Sequence, residues 1–440
     1  ANSHHFLEML HPRQNLSEAY PAQEKGWLHM HRRWLTLFFI AVISLSNLLI
    51  GSSTTASAQE TGRRLINEKR VLNEFLEMVQ IRSQGKNERQ LADILKDRLK
   101  EMGAELSEDN AYTDFGGNTG NIFAFFKGTV QGTPVLMLNS HIDTVEPSAG
   151  VVPQIVDGVI KPSGKTILGA DDKAGVASIL EAMRTVREKN IPYGDILVLL
   201  TVAEDVGLLG SKAIDKNRLR KADFGFSLDS AGKPGDIYTS APGSNRISIV
   251  IHGKASHAGV APEKGINAIV IAGKALADLQ QGRIDAETTS NVGMIQGGTA
   301  INIVPDRVEL QAGVRSRDQA KLDYQTKYMT DTFLNTAIAN GGRCDVNVAS
   351  LFAAFKLDTS STPVQVAQKA MSRLGLPFAI GATGGGSDAN YFNAYGVPVA
   401  ILAVGYDSNH TSDEHIAVDD LYKSADLAVA LIQVVSEMKK

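Results

Sequence analysis

Two side chains that could bind a metal ion follow a short apolar run in the first half of the chain. Residues 134–139 carry no charge, which predicts a strand buried on both faces, and His141 and Asp143 come at its end. Because side chains alternate along an extended chain, these two point the same way. A neutral imidazole is a metal ligand, and a nearby carboxylate either holds the ring in the right tautomer or binds the ion itself.

The pattern of an apolar run that ends in a candidate ligand occurs three more times. The side chains at the ends of these runs are Glu204 with Asp205, Asp229, and His410. A further acidic pair, Asp171 and Asp172, stands where a glycine-containing loop turns into a helix. Carboxylates at that position also suit the positive end of the helix dipole, so an acidic first turn without a metal is the alternative.

A parallel sheet would bring these candidate ligands together, because loops at the carboxyl ends of its strands meet in one crevice. So many carboxylates would repel one another and resist burial, and divalent cations would neutralise them. A mixed set of imidazole and carboxylate ligands suits zinc, with cobalt or manganese as alternatives. The candidates suffice for two ions that share a bridging carboxylate, an arrangement that activates water for hydrolysis.

The elements that must position these residues predict an α/β fold. Helices are predicted from apolar spacing at 66–81, 88–102, 172–189, 363–374 and 421–438, and strands at 121–126, 135–139, 196–202, 224–228 and 397–404. Strands that alternate with helices imply a largely parallel sheet covered on both faces. A glycine-rich turn at 384–386 either shapes the pocket floor or is a simple turn.

The character of the chain changes at about Ser244. Alternating stretches at 246–252 and 308–314 and helical ones at 266–279 and 319–339 predict a compact α+β insertion with an antiparallel sheet. From Thr362 the first pattern resumes, so the chain leaves one domain, makes a second and returns. The predicted domains are residues 59–243 and 356–440 for the α/β domain and residues 244–355 for the insertion.

Composition excludes several classes of protein and site. The 440 residues, 43% of them hydrophobic, suffice for a large core and two domains. A formal net charge of −4 without a basic block argues against nucleic acid as a partner. The single cysteine, Cys344, allows neither an internal disulfide nor a cysteine-rich zinc site.

The first 58 residues are predicted to be an N-terminal extension and signal peptide rather than fold. Basic residues at 31–33 precede an apolar run at 34–50, and small and polar residues follow up to Ala58, which is the layout of a secretory signal. We therefore expect a secreted or periplasmic protein with no stable membrane association after cleavage. An uncleaved anchor is the alternative, because the run is close to the length of a spanning helix. Met30 is the expected natural start.

Taken in order, these motifs resemble those of the co-catalytic di-zinc exopeptidases, which include peptidase T, glutamate carboxypeptidase and aminoacylase. Residues 140–145 and 167–175 are most similar to the peptidase T-like branch, and the likeness runs from about Leu65 to the C-terminus. The resemblance implies a zinc-peptidase catalytic domain with a mostly parallel sheet. It also implies that the inserted α+β domain is a lid or dimerisation domain.

The resemblance further implies a role for each motif residue. The side chains that would bind two zinc ions are Asp171 as the bridge, His141 and Asp229 at one ion, and Asp205 and His410 at the other. Asp143 would orient His141, and Glu204 would be the general base for a water bridged by the two ions. Asp205 departs from the family pattern, in which a second glutamate generally stands at this position.

Three residues of the insertion would contact the substrate. His257 resembles a histidine that stabilises the oxyanion of the tetrahedral intermediate, often from a partner subunit. Arg315 resembles an arginine that clamps a substrate carboxylate, and Asn302 lies near it in sequence. Without the resemblance, His257 is a loop histidine and Arg315 a surface arginine. The expected partners are a short peptide substrate and a second copy of the chain, bound through the insertion.

These inferences predict a metal-dependent exopeptidase for short peptides, most similar to a tripeptide aminopeptidase. A glutamate-carboxypeptidase-like enzyme or an N-acyl-amino-acid amidohydrolase is the alternative, because the motifs indicate the reaction better than the substrate. A binding protein that has kept the fold and lost catalysis is an alternative of another class. Glu204 argues against it, since binding alone requires no base there.

Overall fold

The computed structural model describes residues 64–219 and 221–440, so the predicted extension and signal peptide lie outside the described residues. The helices of the described part are α1 (Glu68–Val79), α2 (Arg89–Glu101), α3 (Tyr112–Phe115), α4 (Ala170–Glu188), α5 (Leu209–Ala213), α6 (Lys216–Leu219), α7 (Ala268–Asp278), α8 (Gln319–Ala339), α9 (Thr362–Leu374), α10 (Ala389–Ala394) and α11 (Val418–Ser436), with a 3-10 turn at Pro262–Lys264.

The strands of the described residues fall into three sheets. In chain order they are β1 (Glu105–Glu108), β2 (Ile122–Phe126), β3 (Leu136–His141), β4 (Pro153–Val156), β5 (Val159–Pro162), β6 (Ile196–Thr201), β7 (Phe224–Ser227), β8 (Asp236–Ala241), β9 (Gly243–His252), β10 (Gly282–Arg283), β11 (Thr288–Gly297), β12 (Arg307–Ser316), β13 (Arg343–Phe352), β14 (Phe355–Lys356), β15 (Ala379–Ala382), β16 (Val399–Leu402), β17 (Tyr406–Asp407) and β18 (His415–Ala417).

The largest sheet is parallel in its centre and antiparallel on both sides. Its order is β1-β2-β6-β3-β7-β16-β8-β14, and β15 also pairs with β8. Strand β3 pairs in parallel with β6 and β7, and β7 pairs in parallel with β16, whereas β2 and β8 run against these central strands. The predicted α/β fold is confirmed. The sheet is mixed rather than mostly parallel. The sequence did not predict the antiparallel strands, because an apolar run indicates a strand but not its direction.

Helices cover both faces of this sheet, as its central strands require. Every residue of β3 and β6 is buried. Residues of α1, α2, α4, α9 and α11 form the core on one face, and residues of α6 and α10 form a smaller core on the other. A buried sheet with apolar central strands is therefore the rigid base from which the strand ends project.

The second sheet is antiparallel and has helices on one face only. Its order is β10-β11-β12-β9-β13, and α7 and α8 pack against alternating apolar side chains of β9 and β12. The predicted α+β insertion with an antiparallel sheet is confirmed, and its boundaries at 244–355 remain a prediction. The long strand β11 was not predicted, because most of its residues are exposed and their sequence shows no alternation.

The third sheet, β17-β18-β5-β4, was not predicted either, because its strands have only two to four residues. In this sheet β18 pairs with β5, with Ile416 opposite Ile160. The pairing holds the loop that carries His410 beside the segment that leads into α4.

Candidate metal centre

The five predicted ligands lie together at the carboxyl end of the central strands. They are His141 at the end of β3, Asp171 in the first turn of α4, Asp205 after β6, Asp229 after β7 and His410 between β17 and β18. All except His141, which is buried behind them, line a cavity of about 420 Å³. Glu204 and the glycine-rich turn at 384–386 line the same cavity.

The Asp171 carboxylate faces a different histidine with each of its oxygens. Its Oδ1 lies 3.1 Å from Nε2 of His141, and its Oδ2 lies 3.2 Å from Nε2 of His410. Asp205 Oδ1 is 2.9 Å from the same His410 nitrogen, and Asp229 Oδ1 is 3.6 Å from the His141 nitrogen. One carboxylate thus stands between two imidazole–carboxylate pairs, which is the arrangement that a ligand shared by two ions requires.

Asp143 orients both a ligand and the segment that carries the predicted base. Its Oδ1 lies 3.4 Å from Nδ1 of His141, and its backbone carbonyl oxygen lies 3.1 Å from the same nitrogen. The same carboxylate accepts hydrogen bonds from the backbone N–H groups of Glu204, at 2.9 Å, and Asp205, at 3.1 Å. The sequence predicts only the first of these two contacts.

Asp172 is a candidate ligand to which the sequence analysis assigns no role. Ligand atoms of His141, Asp172 and Asp229 lie within 4.8 Å of one another. One oxygen of Asp172 accepts hydrogen bonds from the Ser140 hydroxyl and, at 3.3 Å, from the backbone N–H of His141. Its other oxygen, Oδ1, is buried and has no hydrogen-bond partner among the described residues. In the sequence, a metal ligand at this position cannot be distinguished from an acidic residue that only stabilises the start of the helix.

Glu414 holds the loop that precedes Asp171, and no motif in the sequence indicates this role. Its carboxylate accepts hydrogen bonds from the backbone N–H groups of Leu168, Gly169 and Asp171, at 2.8, 2.7 and 2.9 Å. The only signal in the sequence is that Glu414 follows His410 by four residues. Asn409 donates a further hydrogen bond, of 2.6 Å, to Asp171 Oδ2.

Gly175 allows α4 to approach the end of β7 closely enough to join Asp171 to Asp229. A Cβ at Gly175 would lie 2.1 Å from the backbone oxygen of Leu228 and 2.7 Å from Oδ1 of Asp172. Any side chain at this position would push the first turn of α4 away from the strand. The glycine is therefore a requirement of the site's geometry.

The titration of the cluster reflects the burial of several carboxylates around two imidazoles. Burial raises the pKa of Asp205 to about 7, although its hydrogen bond to His410 opposes the shift. Burial also raises the pKa of Glu204, with the charges of Asp229 and other carboxylates adding to it. Hydrogen bonds to Asp171 and Asp205 raise the pKa of His410 to about 10. These raised pKa values mean that bound protons reduce the negative charge of the cluster.

The residues present fit two divalent cations. Asp205 Oδ2, like Asp172 Oδ1, is buried without a hydrogen-bond partner in the described part of the chain, and such oxygens are available as ligands. His141, Asp171 and Asp205 form a second group whose ligand atoms lie within 4.8 Å of one another. Imidazole and carboxylate donors suit zinc and its neighbours among the transition metals.

The three predicted substrate-contacting residues do not line this cavity. His257 and Asn302 lie together in the inserted domain, where the backbone N–H of Ala258 donates to the Asn302 carbonyl oxygen at 2.9 Å. Arg315 lies on the helix-free face of the second sheet and lines a different cavity. Within the described part of one chain, the predicted ligands and Glu204 therefore lie together, and these three residues lie apart from them.

Comparisons with known proteins match this architecture. Residues 239–363 match the model of the peptidase dimerisation domain, and residues 121–269 match the model of peptidase family M28. The uncharacterized protein YqjE of Bacillus subtilis is 42% identical over 369 residues, which are 84% of this chain and 99% of that protein.

Two solved structures have a similar fold and sequence. The aminopeptidase PepT of Bacillus cereus is 43% identical, with a TM-score of 0.81, over 85% of this chain and 100% of that chain. A tripeptidase of Staphylococcus aureus is 39% identical, with a TM-score of 0.82, over the same shares of the two chains.

These comparisons correct the predicted location. The aminopeptidase and the tripeptidase are matched over 100% of their length by 85% of this chain, so nothing in them corresponds to an additional secretory leader. The prediction of a secreted or periplasmic enzyme, with a membrane-anchored form as its alternative, is wrong. It rested on the composition of residues 31–58 alone. Among the described helices, none is both long and apolar enough to cross a membrane.

Proposed function

We propose, from the premise that this chain belongs to the di-zinc exopeptidase family close to peptidase T, that it removes the N-terminal residue from tripeptides. The chain is a peptidase T-like, metal-dependent exopeptidase. The proposal concerns the identity of its substrate, a tripeptide, and of its metal, zinc. The descriptions of the two solved structures, as an aminopeptidase and a tripeptidase, support the choice of substrate.

Two ions would be held by the five predicted ligands, with Asp171 between them and Asp172 as a further candidate. When bound, divalent cations of this kind act as Lewis acids that lower the pKa of a bound water and polarise a carbonyl group. The contribution of the chain is to fix the ligands. Asp143 and Glu414 do so through hydrogen bonds to His141 and to the segment around Asp171.

The observation that carries the proposal is the position of Glu204. This carboxylate lines the same cavity as the ligands, and its Oε2 lies 4.0 Å from Nε2 of His141. Burial raises its pKa, which makes it a stronger base when ionised. Glu204 would take a proton from the attacking water and pass it to the nitrogen of the leaving amine.

The test replaces Glu204 with glutamine, which keeps the size of the side chain and removes the base. We expect kcat to fall by about 10²- to 10⁴-fold while the protein keeps its bound zinc. The variant Glu105→Gln is the matched control, because Glu105 is an exposed acid of the same domain. A variant E204Q that retains both zinc and full activity would show that Glu204 is not the base.

A panel of di-, tri- and tetrapeptides, free or blocked at each end, separates the proposal from its alternatives. An aminopeptidase requires a free N-terminus, so acetylation should abolish turnover. Hydrolysis of N-acylated but not of free peptides would instead favour the amidohydrolase. If the zinc-loaded protein hydrolyses no peptide or amide in the panel, the proposal is wrong and a binding protein is favoured.

The match to the dimerisation domain supports a homodimer through the inserted domain. Strand β11 is an edge strand beyond Asn291, because β10 covers only its beginning. Ile295 on this edge and Ile269 and Val270 on α7 are exposed by 54%, 43% and 50%. Exposed apolar side chains beside an unpaired strand edge are typical of an interface. In such a dimer, His257 of the partner subunit would be available to the metal centre.

A further inference from the structure

Three arginines lie around one cavity on the helix-free face of the second sheet. Arg246 of β9, Arg283 of β10 and Arg315 of β12 all line this cavity, whose volume is about 1010 Å³. Only Arg315 has an expected role, as the clamp for one substrate carboxylate. The cavity shares no lining residue with the metal centre.

The register of the sheet places the three side chains on the same face, around one cavity. Arg283 and Arg315 both lie opposite Thr289, on the two sides of β11. Arg246 lies opposite Gly313, two residues along β12 from Arg315. Strands β10 and β9 are three strand spacings apart, about 14 Å, and the long arginine side chains that line the one cavity extend toward a ligand between them. A Cβ at Gly313 would meet no atom within 4 Å, so the space between them is open.

The arginines of this cluster differ from the other charged residues of the face in having no carboxylate partner among the described residues. Among the described residues, no carboxylate forms a salt bridge with any of the three arginines. The acids of the same face lie toward its other end, where Glu309 pairs with Arg307 at 2.8 Å and Asp345 pairs with Arg343 at 2.6 Å. One end of the face is therefore neutralised and the other is not.

The unneutralised end is the one that adjoins the metal centre. Ser244, near the start of β9, lies opposite both Arg315 and Phe352. The ring of Phe352 packs against Gly386, which lines the metal cavity. The connection from β8 of the main sheet also enters β9 at this end, through Pro242.

We propose that Arg246 and Arg283, beside Arg315, form a subsite for a second carboxylate of the substrate, so that the enzyme prefers peptides with an acidic residue. One arginine suffices for the C-terminal carboxylate, through two parallel hydrogen bonds. Two more guanidinium groups at the same cavity suit a further anionic group, since the planar fork of arginine matches a carboxylate. This inference rests on the proposed function, because it names the substrate class of that enzyme.

The kinetic test compares acidic peptides with their uncharged amides. The pairs are Leu-Gly-Glu with Leu-Gly-Gln and Leu-Glu-Gly with Leu-Gln-Gly, which place the carboxylate at either position. For at least one pair we expect kcat/KM to be about tenfold higher for the acidic peptide, as one charged hydrogen-bonded contact provides. R246Q and R283Q should each bring that ratio toward one, and R283E should invert it. R307Q, on the other end of the face, is the control and should keep the wild-type ratio.

A binding measurement tests the proposed subsite independently of catalysis. Calorimetry with Gly-Glu and Gly-Gln should show about tenfold tighter binding of Gly-Glu to the wild type, and R246Q and R283Q should reduce the difference. Equal binding of the two dipeptides, or a difference that both variants keep, would overturn the subsite. Competition by inorganic phosphate with equal dipeptide binding would also overturn it, since the cluster would then select phosphate. Failure of every tripeptide to be hydrolysed, with the binding difference intact, would refute the proposed function instead.

Discussion

At the scale of single residues, two buried carboxylates hold three successive backbone N–H groups at the predicted base. Glu88 accepts a hydrogen bond of 2.9 Å from Ala203, and Asp143 accepts those of Glu204 and Asp205. Ala203 has a φ of 54°, a conformation that residues other than glycine rarely adopt. The direction of the Glu204 side chain therefore depends on two buried acidic side chains, Glu88, which no sequence motif indicates, and Asp143, which is predicted only to orient His141.

Glu88 makes the stability of the protein depend on pH. Burial, and then the charge of Asp143, raise its pKa from 4.5 to about 7. The folded state therefore binds the proton more tightly than the unfolded state, and this stabilisation is lost as pH rises from about 4.5 to 7. In E88Q the loss is absent. The free energy of unfolding of E88Q minus that of the wild type should therefore increase by up to about 3 kcal/mol between pH 4.5 and pH 8.

Urea unfolding of E88Q and wild type at several pH values measures this difference directly. E105Q is the control, because it removes an exposed carboxylate of the same domain. A constant difference between E88Q and wild type across the range would show that Glu88 is ionised in the folded protein at all these pH values.

At the scale of elements, the metal centre depends on how two loops are held together. The loop between β17 and β18 carries His410, and Glu414 in the same loop binds the backbone that leads into α4. Pairing of β18 with β5 fixes that loop from the other side. The distance between Asp171 and His410 is therefore set by Glu414 and by a small sheet as much as by the ligands.

Replacing Glu414 with glutamine should weaken metal binding. Glutamine has one acceptor oxygen where the carboxylate has two, so at least one of the three backbone hydrogen bonds is lost. Changes to groups that orient ligands typically lower metal affinity about 10- to 100-fold. Competition with a chelator measures zinc affinity in E414Q and in D413N, whose exposed carboxylate makes it the neighbouring control. Equal affinities in E414Q and wild type would contradict the role of Glu414.

At the scale of the whole molecule, the inserted domain has two surfaces with different chemistry. Its helix-free face carries the arginine cluster, and its α7 and β11 edge carries exposed Ile269, Val270 and Ile295. The first suits an anionic substrate and the second suits another copy of the chain. Under the two proposals, the same domain would select the substrate and pair the subunits.

Replacing Ile295 with lysine should abolish dimerisation. A charge in the centre of an apolar interface would be buried without a partner, which disfavours association strongly. Light scattering should report a dimer for the wild type and a monomer for I295K. Tyr324→Lys is the control, because Tyr324 on α8 is 73% exposed and lies outside this edge. A dimer in both variants would place the interface elsewhere.

The sequence by itself determined where most helices and central strands lie and that an α+β domain interrupts an α/β domain, and it supplied a set of candidate metal ligands. These are local properties: an apolar run, a spacing of three or four residues, a carboxylate directly after a strand. Helix α8, predicted at 319–339, has those bounds in the structure. The motifs from His141 to His410 were sufficient to indicate the family and the reaction.

Only the tertiary structure decided what depends on contacts between distant parts of the chain. Strand direction in the mixed sheet follows from pairing, which an apolar run does not specify. Glu414 reaches Leu168 across 246 residues of sequence, and no local pattern indicates such a contact. The arginine cluster likewise comes from three separate strands, whose register alone brings Arg246, Arg283 and Arg315 to one face. The sequence specifies the type and charge of each residue, but the proximity of distant residues is a property of the folded chain.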